Sequence, residues 1–414
     1  MGVRSPMNIL WYGDSPGDRF YGCTGFGRVT RYITNGLVAA GHRVQIAAFN
    51  YFGGPVDSDV VKAERLFAVT TPPSVCTEAF GLSRLAGLVR AIPYNPVLSF
   101  KPDVFVVFND PFLFSEELAE EIRKACDETD TRLVHYFPVD SDVDEDYLHL
   151  ARRADVAITY HPYGVEQIAL ADRGLAQRVR TVGHGVDPEV FFLDATRREA
   201  MRQRLGCSPR THLVVYIGDN QPRKGLPDLL QAFVQVARGA PDAHLFLRTN
   251  LKSRKNDGIN LYRVVRHLGL SGRVASAEAG LDNSWSEADL VDLYRAADLV
   301  VQPSLAEGWG LVPCEAMACG TGVAVADNTV PARIHDPAVA WFLPVDRVGR
   351  ITPHSQDFVR YPIDVRAAAD VMLQALLDPD ERLTRAAQGV EYARRWSWPK
   401  CVIDFMDAIT EKTS

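Results

Sequence analysis

Two glutamates lie at opposite ends of one short glycine-containing segment, Glu307-Gly-Trp-Gly-Leu-Val-Pro-Cys-Glu315. The apolar run 297–304 before it predicts a buried strand that ends at a turn. The run after Glu315 predicts a short helix that Gly320 can end. Backbone N–H groups at a helix start bind anions, because they lack helical partners and lie at the positive end of the dipole. The segment therefore predicts a phosphate site at the N–H groups of Gly310, Leu311 and Val312.

The two carboxylates flank this predicted phosphate site, with Glu307 in the loop and Glu315 just inside the helix. A carboxylate accepts hydrogen bonds from hydroxyl groups, so this arrangement suits a ligand with hydroxyls on both sides of a phosphate. A nucleotide sugar has this chemistry, with its sugar, diphosphate and ribose. We include the neighbouring Trp309 among the donor contacts. The alternative is an ordinary buried strand, loop and helix of an α/β domain.

Two adjacent cations, Arg223 and Lys224, follow the predicted strand 213–217. The segment is not a P-loop, because no glycine precedes Lys224 and no Ser or Thr follows it. A guanidinium fork and an ammonium at a strand end still suit a departing diphosphate. We predict further donor contacts from Gly218 and Asn220. The alternative is a solvated helix start.

A glycine run, 21–27, follows the first predicted strand, and we predict donor contacts at Gly25, Phe26 and Gly27. A dinucleotide site is disfavoured, because Thr30 stands where a third glycine is needed and Asn50 replaces the acidic ribose ligand.

An acidic run, 140–146, follows another predicted strand, 132–137. We predict that Asp140 contacts the sugar or the acceptor, with a simple helix cap as the alternative. His135 lies within the strand, which favours a core position. The run does not fit an EF-hand, because Glu145 stands at the glycine position, and we expect no metal site.

Length and composition indicate a two-domain protein of 414 residues with a net charge of −7. This charge gives no global attraction to nucleic acid, although a local basic patch stays open. The seven scattered cysteines are typical of small core residues in a reduced cytoplasmic protein. We find neither a membrane-spanning run nor a signal peptide, and we expect a monomer or homodimer in the cytoplasm.

Apolar runs alternate with amphipathic stretches throughout, which predicts parallel sheets with helices on both faces. The glycine- and proline-containing connector 183–191 marks the predicted boundary between domains 1–185 and 186–396. An amphipathic helix is predicted at 397–412, in a segment that starts with the aromatic residues Trp396 and Trp398. The predicted strands are 8–12, 44–49, 103–108, 132–137, 156–159, 179–182, 213–217, 244–247, 299–302 and 322–326.

The segment 303–320 closely resembles the signature of retaining glycosyltransferases of family 4, which have the GT-B fold. That signature is Pro-Ser, then Glu, seven residues and Glu-Ala-Met-Ala-Cys-Gly. The connector resembles the family's interdomain segment, with His184 in place of asparagine, and Arg223-Lys224-Gly225 resembles its Arg…Lys-Gly pair. Asp219 departs from the family, which commonly has arginine there.

The resemblance implies two Rossmann-like parallel-sheet domains facing a cleft, with acceptor-side residues in the first and the donor bound mainly to the second. The C-terminal helix would cross back to the first domain. The resemblance also implies transfer of a hexose from a nucleoside-diphosphate sugar, such as UDP-glucose or GDP-mannose, to a sugar or glycoconjugate acceptor. The anomeric configuration would be retained, and no cofactor or metal would be needed. The implied catalytic residues are Arg223, Lys224, Glu307 and Asp140, with Glu315 at the ribose.

Three other functions stay open at this point. A nucleotide-sugar epimerase of similar architecture would act without an acceptor, and a viral enzyme would glycosylate modified DNA bases. A catalytically weak donor-binding protein is the third, and Asp219 favours it. The amphipathic stretch 80–90 could contact a lipid-linked acceptor at a membrane surface, or it could be a core-facing helix.

Overall fold

A computed structural model of the protein describes residues 5–17, 24–54, 57–69, 80–91, 94, 100–252, 258–277, 286–351 and 358–411. The chain divides into two compact units, and each is described by itself. The first unit comprises Met1–Gly185 with Trp398–Ser414, and the second comprises Val186–Ser397.

The first unit contains a parallel sheet whose described strands have the order β3-β2-β1-β4-β5-β6-β7. Its central strands are continuous buried runs, as expected where helices cover both faces of a parallel sheet. The strands are β1 (Asn8–Asp14), β2 (Arg43–Phe49), β3 (Arg65–Ala68), β4 (Val104–Phe108), β5 (Arg132–Tyr136), β6 (Val156–Thr159) and β7 (Arg180–Thr181). The helices between them are α1 (Gly25–Ala39), α2 (Leu85–Ala91), α3 (Glu116–Glu128), α4 (His149–Arg153), α5 (Pro162–Ala171) and α6 (Arg173–Ala176).

The second unit repeats this pattern with a parallel sheet of order β10-β9-β8-β11-β12-β13. Its strands are β8 (His212–Ile217), β9 (Ala243–Arg248), β10 (Val274–Ala277), β11 (Leu299–Gln302), β12 (Gly322–Ala326) and β13 (Ala340–Leu343), with an antiparallel pair β14 (Arg350–Ile351) and β15 (Val359–Arg360). Its helices are α7 (Ala195–Arg204), α8 (Leu226–Gly239), α9 (Leu261–His267), α10 (Glu287–Ala296), α11 (Leu311–Ala318), α12 (Pro331–Ile334), α13 (Val365–Leu377) and α14 (Pro379–Ala393).

The C-terminal helix α15 (Trp398–Thr410) packs on α1 within the first unit. Trp398 stacks on Tyr32 with ring centroids 4.7 Å apart, and Phe405 lies 5.6 Å from Trp11. Gly36 of α1 makes room for this helix, because a Cβ there would lie 2.3 Å from Val402. The predicted fold class is therefore confirmed: two Rossmann-like parallel-sheet α/β units, with the C-terminal helix returning to the first.

Several sequence predictions need correction. Helix α1 begins at Gly25, inside the glycine run 21–27, and the Thr24 side chain caps its N-terminus. Strands β3, β10 and β13 were not predicted, and they are three of the four edge strands of the two parallel sheets. The stretch 80–90 includes all but the last residue of α2, and the core-facing interpretation is confirmed because Leu85 and Val89 are buried in the first unit's core.

The described cysteines are free, and four of the five are buried: Cys126, Cys314, Cys319 and Cys401, with Cys207 partly exposed. Cys23 and Cys76 lie outside the described residues. No helix in the described ranges combines the length and apolar character needed to cross a bilayer.

Candidate functional site

The second unit's sheet reverses its strand order between β8 and β11, which are hydrogen-bonded neighbours. In open parallel sheets, ligands bind beyond the carboxyl ends of the strands at such a reversal. Arg223 and Lys224 lie in a short 3-10 turn that follows β8, and Glu307 lies in the loop that follows β11. The fold thus brings three predicted catalytic residues to one point.

These three side chains form an ion cluster. The Lys224 ammonium lies 2.5 Å from Glu307 Oε1, and Arg223 Nη1 lies 3.1 Å from Oε2 of the same carboxylate. The Lys224 and Glu307 side chains are only 17% and 9% exposed, so the solvated helix start considered above is wrong.

The backbone also holds the two loops together. The N–H of Leu305 donates to the Arg223 carbonyl at 2.7 Å. Gly225 has a φ of +67°, and a Cβ there would lie 2.3 Å from the Pro303 carbonyl oxygen. Glycine is needed at this position both for the backbone conformation and for the close approach.

The charges of the cluster do not cancel. Burial alone would raise the pKa of Glu307, but the charges of Lys224 and Arg223 and the Lys224 hydrogen bond outweigh it and lower the pKa to about 2. Burial, and then the charge of Arg223, lower the pKa of Lys224, whereas Glu307 opposes this shift. With both cations protonated and Glu307 ionised, the cluster carries one net positive charge, which suits an anionic ligand.

Helix α11 starts beside this cluster. Gly310, with a φ of +98°, directly precedes its first residue, Leu311. The first N–H groups of a helix have no partner within that helix, so the predicted phosphate-binding groups lie at its start. Trp309 is buried and packs edge-on against Trp396, with ring centroids 5.0 Å apart, which anchors the loop before the helix.

Glu315 lies on α11 and is 1% exposed. The Tyr294 hydroxyl, from the buried side of α10, donates to Glu315 Oε2 at 2.8 Å. Sequence reasoning missed Tyr294, because it lies in an ordinary amphipathic helix and its contact with Glu315 depends on tertiary packing.

The structure gives two predicted donor contacts a structural role. The Asn220 amide donates to the carbonyls of Asn250 and Ile259 at 2.9 and 2.6 Å, and its oxygen accepts from the Ile259 N–H at 3.2 Å. Its side chain therefore ties two loops together rather than facing a ligand. At Gly218, a Cβ would lie 2.7 Å from the Tyr216 hydroxyl, which explains glycine by packing.

In the first unit, the predicted glycine contacts lie at the start of α1, after the carboxyl end of β1. Gly27 packs so closely that a Cβ would lie 2.1 Å from the Ser15 carbonyl oxygen, whereas a Cβ on Gly25 would meet open space. Phe26 packs on Phe108 at 4.9 Å. Residues 21–23 of the run lie outside the described residues.

Sequence reasoning also missed Asp14, a buried carboxylate that ends β1. It accepts hydrogen bonds from the Thr24 hydroxyl and, at 2.9 Å, from the Asn50 amide. A lone acidic residue at the end of a strand was the signal that could have drawn attention to it.

Asp140 lies in the loop after β5, where its carboxylate accepts a 3.3 Å hydrogen bond from Ser141. The helix-cap alternative is wrong for this residue, because the next turn is capped by Asp144. His135 is in the core, and burial lowers its pKa to about 3. Across the described residues, no three His, Cys, Asp or Glu side chains are grouped to hold a metal ion.

Residues 197–389 match the family model of glycosyl transferases group 1. D-inositol 3-phosphate glycosyltransferase of Mycobacterium sp. (strain KMS) is 35% identical over 188 residues, or 44% of this chain and 40% of that protein. The Xylanimonas cellulosilytica enzyme of the same name is 33% identical over 244 residues, or 57% of this chain and 52% of that protein. The matches thus span about half the length of these curated relatives or less.

Solved structures resemble the chain over its whole length. Sucrose-phosphate synthase from Thermosynechococcus elongatus has a TM-score of 0.74 at 20% identity, covering 97% of this chain and 98% of that one. Anabaena HepE in complex with UDP and glucose has a TM-score of 0.71 at 17% identity, covering 98% and 100%. The predicted GT-B resemblance is confirmed. We conclude that the chain has the GT-B fold and that residues 197–389 match the glycosyl transferases group 1 model.

Proposed function

We propose that this protein transfers a hexose from a nucleoside-diphosphate sugar to an acceptor hydroxyl, with retention of the anomeric configuration and without a divalent metal ion. The observation that carries the proposal is the cluster of Arg223, Lys224 and Glu307 at the carboxyl ends of β8 and β11. A positively charged cluster beside the start of α11 is suited to a diphosphate, whose charge grows as the sugar leaves.

In this proposal, different residues of the second unit bind different parts of the donor. Lys224, Arg223 and the first N–H groups of α11 bind the diphosphate, Glu307 holds hexose hydroxyls and Glu315 holds the ribose hydroxyls. The Tyr294 hydrogen bond at 2.8 Å fixes one oxygen of Glu315 and so restricts its rotation. The contact of Glu307 with both cations supports its role, because it links the hexose contact to the diphosphate contact.

The chemical step needs no protein nucleophile. The acceptor oxygen bonds to the anomeric carbon on the face that the diphosphate leaves, while the bond between that carbon and the phosphate oxygen breaks. The acceptor proton passes to the departing phosphate oxygen. The protein positions the reactants and stabilises the developing negative charge with Arg223, Lys224 and the helix dipole, which offset a diphosphate without a metal ion.

A panel of nucleotide sugars tests the proposal directly. UDP-glucose is the first donor to try, since HepE has been solved with it, and inositol 3-phosphate is the first acceptor, since it is in the relatives' name. GDP-mannose and simple sugar acceptors complete the panel. We expect release of the nucleoside diphosphate together with a glycoside whose anomeric coupling constant, by NMR, indicates an α-linkage from an α-linked donor. EDTA should leave the rate unchanged.

The same reactions separate the rival functions. Conversion of the donor to an isomeric nucleotide sugar without any acceptor would establish an epimerase. If the protein binds the donor but shows neither transfer nor slow hydrolysis, it is a binding protein. A β-linked product would contradict retention, and activity lost to EDTA and restored by manganese would contradict metal independence.

A further inference from the structure

Arg248 is a cation at the candidate site that the proposed function does not use. It is the last residue of β9, the neighbour of β8, and its carbonyl accepts a 3.3 Å hydrogen bond from Gly218, which begins the loop to Arg223. Arg248 therefore lies at the same carboxyl edge of the sheet as the ion cluster, on the opposite side of β8 from β11.

The side chain of Arg248 faces the helix that holds Glu315 in place. Ala243, Leu245 and Leu247 of β9 point into the core formed with α8 and α13. Since side chains alternate along a strand, Arg248 lies on the other face of the sheet. Tyr294 and Asp289 of α10 lie close enough to act on its charge. Arg248 thus lies on the β9 side of the Tyr294–Glu315 pair.

Among the described residues, no carboxylate forms an ion pair with Arg248. Its Nε is buried without a hydrogen-bond partner, and within the described ranges its guanidinium makes no ion pair. Burial lowers the pKa of this group. Elsewhere in the second unit, Arg198 and Arg202 both pair with Asp298, at 2.7 and 3.1 Å. A partly buried guanidinium without a protein partner is costly for a folded protein, and a bound ligand that accepts its hydrogen bonds would remove this cost.

The distance along the sheet edge indicates which part of the donor Arg248 meets. Strands β9 and β11 are two strand spacings apart, or about 10 Å. That is the order of the distance from the diphosphate of a nucleotide to its base. Arg223, Lys224 and the start of α11 serve the phosphates at one end, and Glu315 serves the ribose between.

We propose that Arg248 hydrogen-bonds the nucleobase of the donor and selects bases with an exocyclic oxygen where cytosine and adenine carry an amino group, namely O4 of uracil or O6 of guanine. This inference rests on the proposed function. A guanidinium only donates hydrogen bonds, so it pairs with the oxygens of uracil or with O6 and N7 of guanine. The amino groups of adenine and cytosine are donors, and they leave part of the guanidinium fork unpaired.

Calorimetry with UDP, GDP, CDP, ADP and inorganic pyrophosphate tests this inference. We expect the wild-type protein to bind UDP or GDP at least about tenfold more tightly than CDP or ADP, the discrimination typical of one arginine–base contact. Arg248→Met should bring the four nucleotides to similar affinity and leave pyrophosphate binding unchanged. Arg248→Gln is the second variant, because it keeps a polar side chain but cannot form the fork. The matched control is Arg266→Met, at an exposed position of α9.

The results distinguish a failure of the Arg248 contact from a failure of the proposed function. Equal losses for all four nucleotides, weakened pyrophosphate binding, or unchanged base preference in both Arg248 variants would overturn the role of Arg248 alone. A wild-type protein that binds no nucleoside diphosphate would overturn the proposed function and this inference with it.

Discussion

Glu307→Gln removes the one negative charge from the cluster and leaves Arg223 and Lys224 facing each other. The pKa of Glu307 falls from 4.5 to about 2 in the folded protein. At about 1.4 kcal/mol per pKa unit, this corresponds to a stabilisation of about 3 kcal/mol from the ionised carboxylate. We expect the variant to lose stability of that order, which lowers the melting temperature of a unit of this size by about 10 °C.

The direction of the Glu307 pKa shift determines how the stability difference between wild type and variant depends on pH. A depressed carboxyl pKa stabilises the fold fully above pH 4.5, and that contribution is lost as the pH falls toward 2. The difference in melting temperature between wild type and variant should therefore be largest at neutral pH and shrink below pH 4.5. Differential scanning fluorimetry at several pH values measures it, with Glu199→Gln on the surface of α7 as the matched control.

Pyrophosphate binding should distinguish an electrostatic role of Glu307 from a merely structural one. Because the variant leaves two cations uncompensated, pyrophosphate should bind it at least as tightly as wild type and raise its melting temperature more, while sugar transfer falls. Equal melting temperatures of the two proteins at pH 7, a difference that does not change with pH, or collapsed pyrophosphate binding would refute the reasoning.

Four further substitutions test other contacts. Lys224→Ala should lower turnover by about two to three orders of magnitude while the fold survives, and near-normal turnover would contradict its role at the leaving group. Glu315→Gln should weaken UDP and GDP binding in calorimetry, with a smaller effect from Tyr294→Phe, and unchanged affinities would contradict the ribose contact. Gly27→Ala should destabilise the first unit by about 1–3 kcal/mol in chemical denaturation, because its Cβ would overlap the Ser15 carbonyl, and unchanged stability would contradict that close packing.

The sequence was sufficient to predict those parts of the candidate site in which charged residues follow a buried strand. Strands β8 and β11 are continuous apolar runs, so the positions after them were recognisable as a sheet edge. The sequence could not predict which strand ends lie next to each other in the sheet. Lys224 and Glu307 are 83 residues apart, and their contact depends on the hydrogen-bonded pairing of β8 with β11, which residue types alone do not encode.

The errors have physical causes of the same kind. Edge strand β3 is half-exposed and four residues long, so it lacks the apolar run that identifies a central strand. Asn220 has a polar side chain at the end of a strand, which is also what a ligand contact requires. Only the tertiary structure reveals that its amide is used by the backbone of Asn250 and Ile259.

The return of α15 to the first unit has a consequence for the order in which the protein forms on the ribosome. Trp11 and Tyr136 of the first sheet pack against Phe405, and Tyr32 packs against Trp398. These partners are synthesised only after the whole of Val186–Ser397. At about 5–20 residues per second, a nascent chain carries the uncovered face of its first unit for at least about ten seconds. The N-terminal half is thus the first to emerge and the last to be completed.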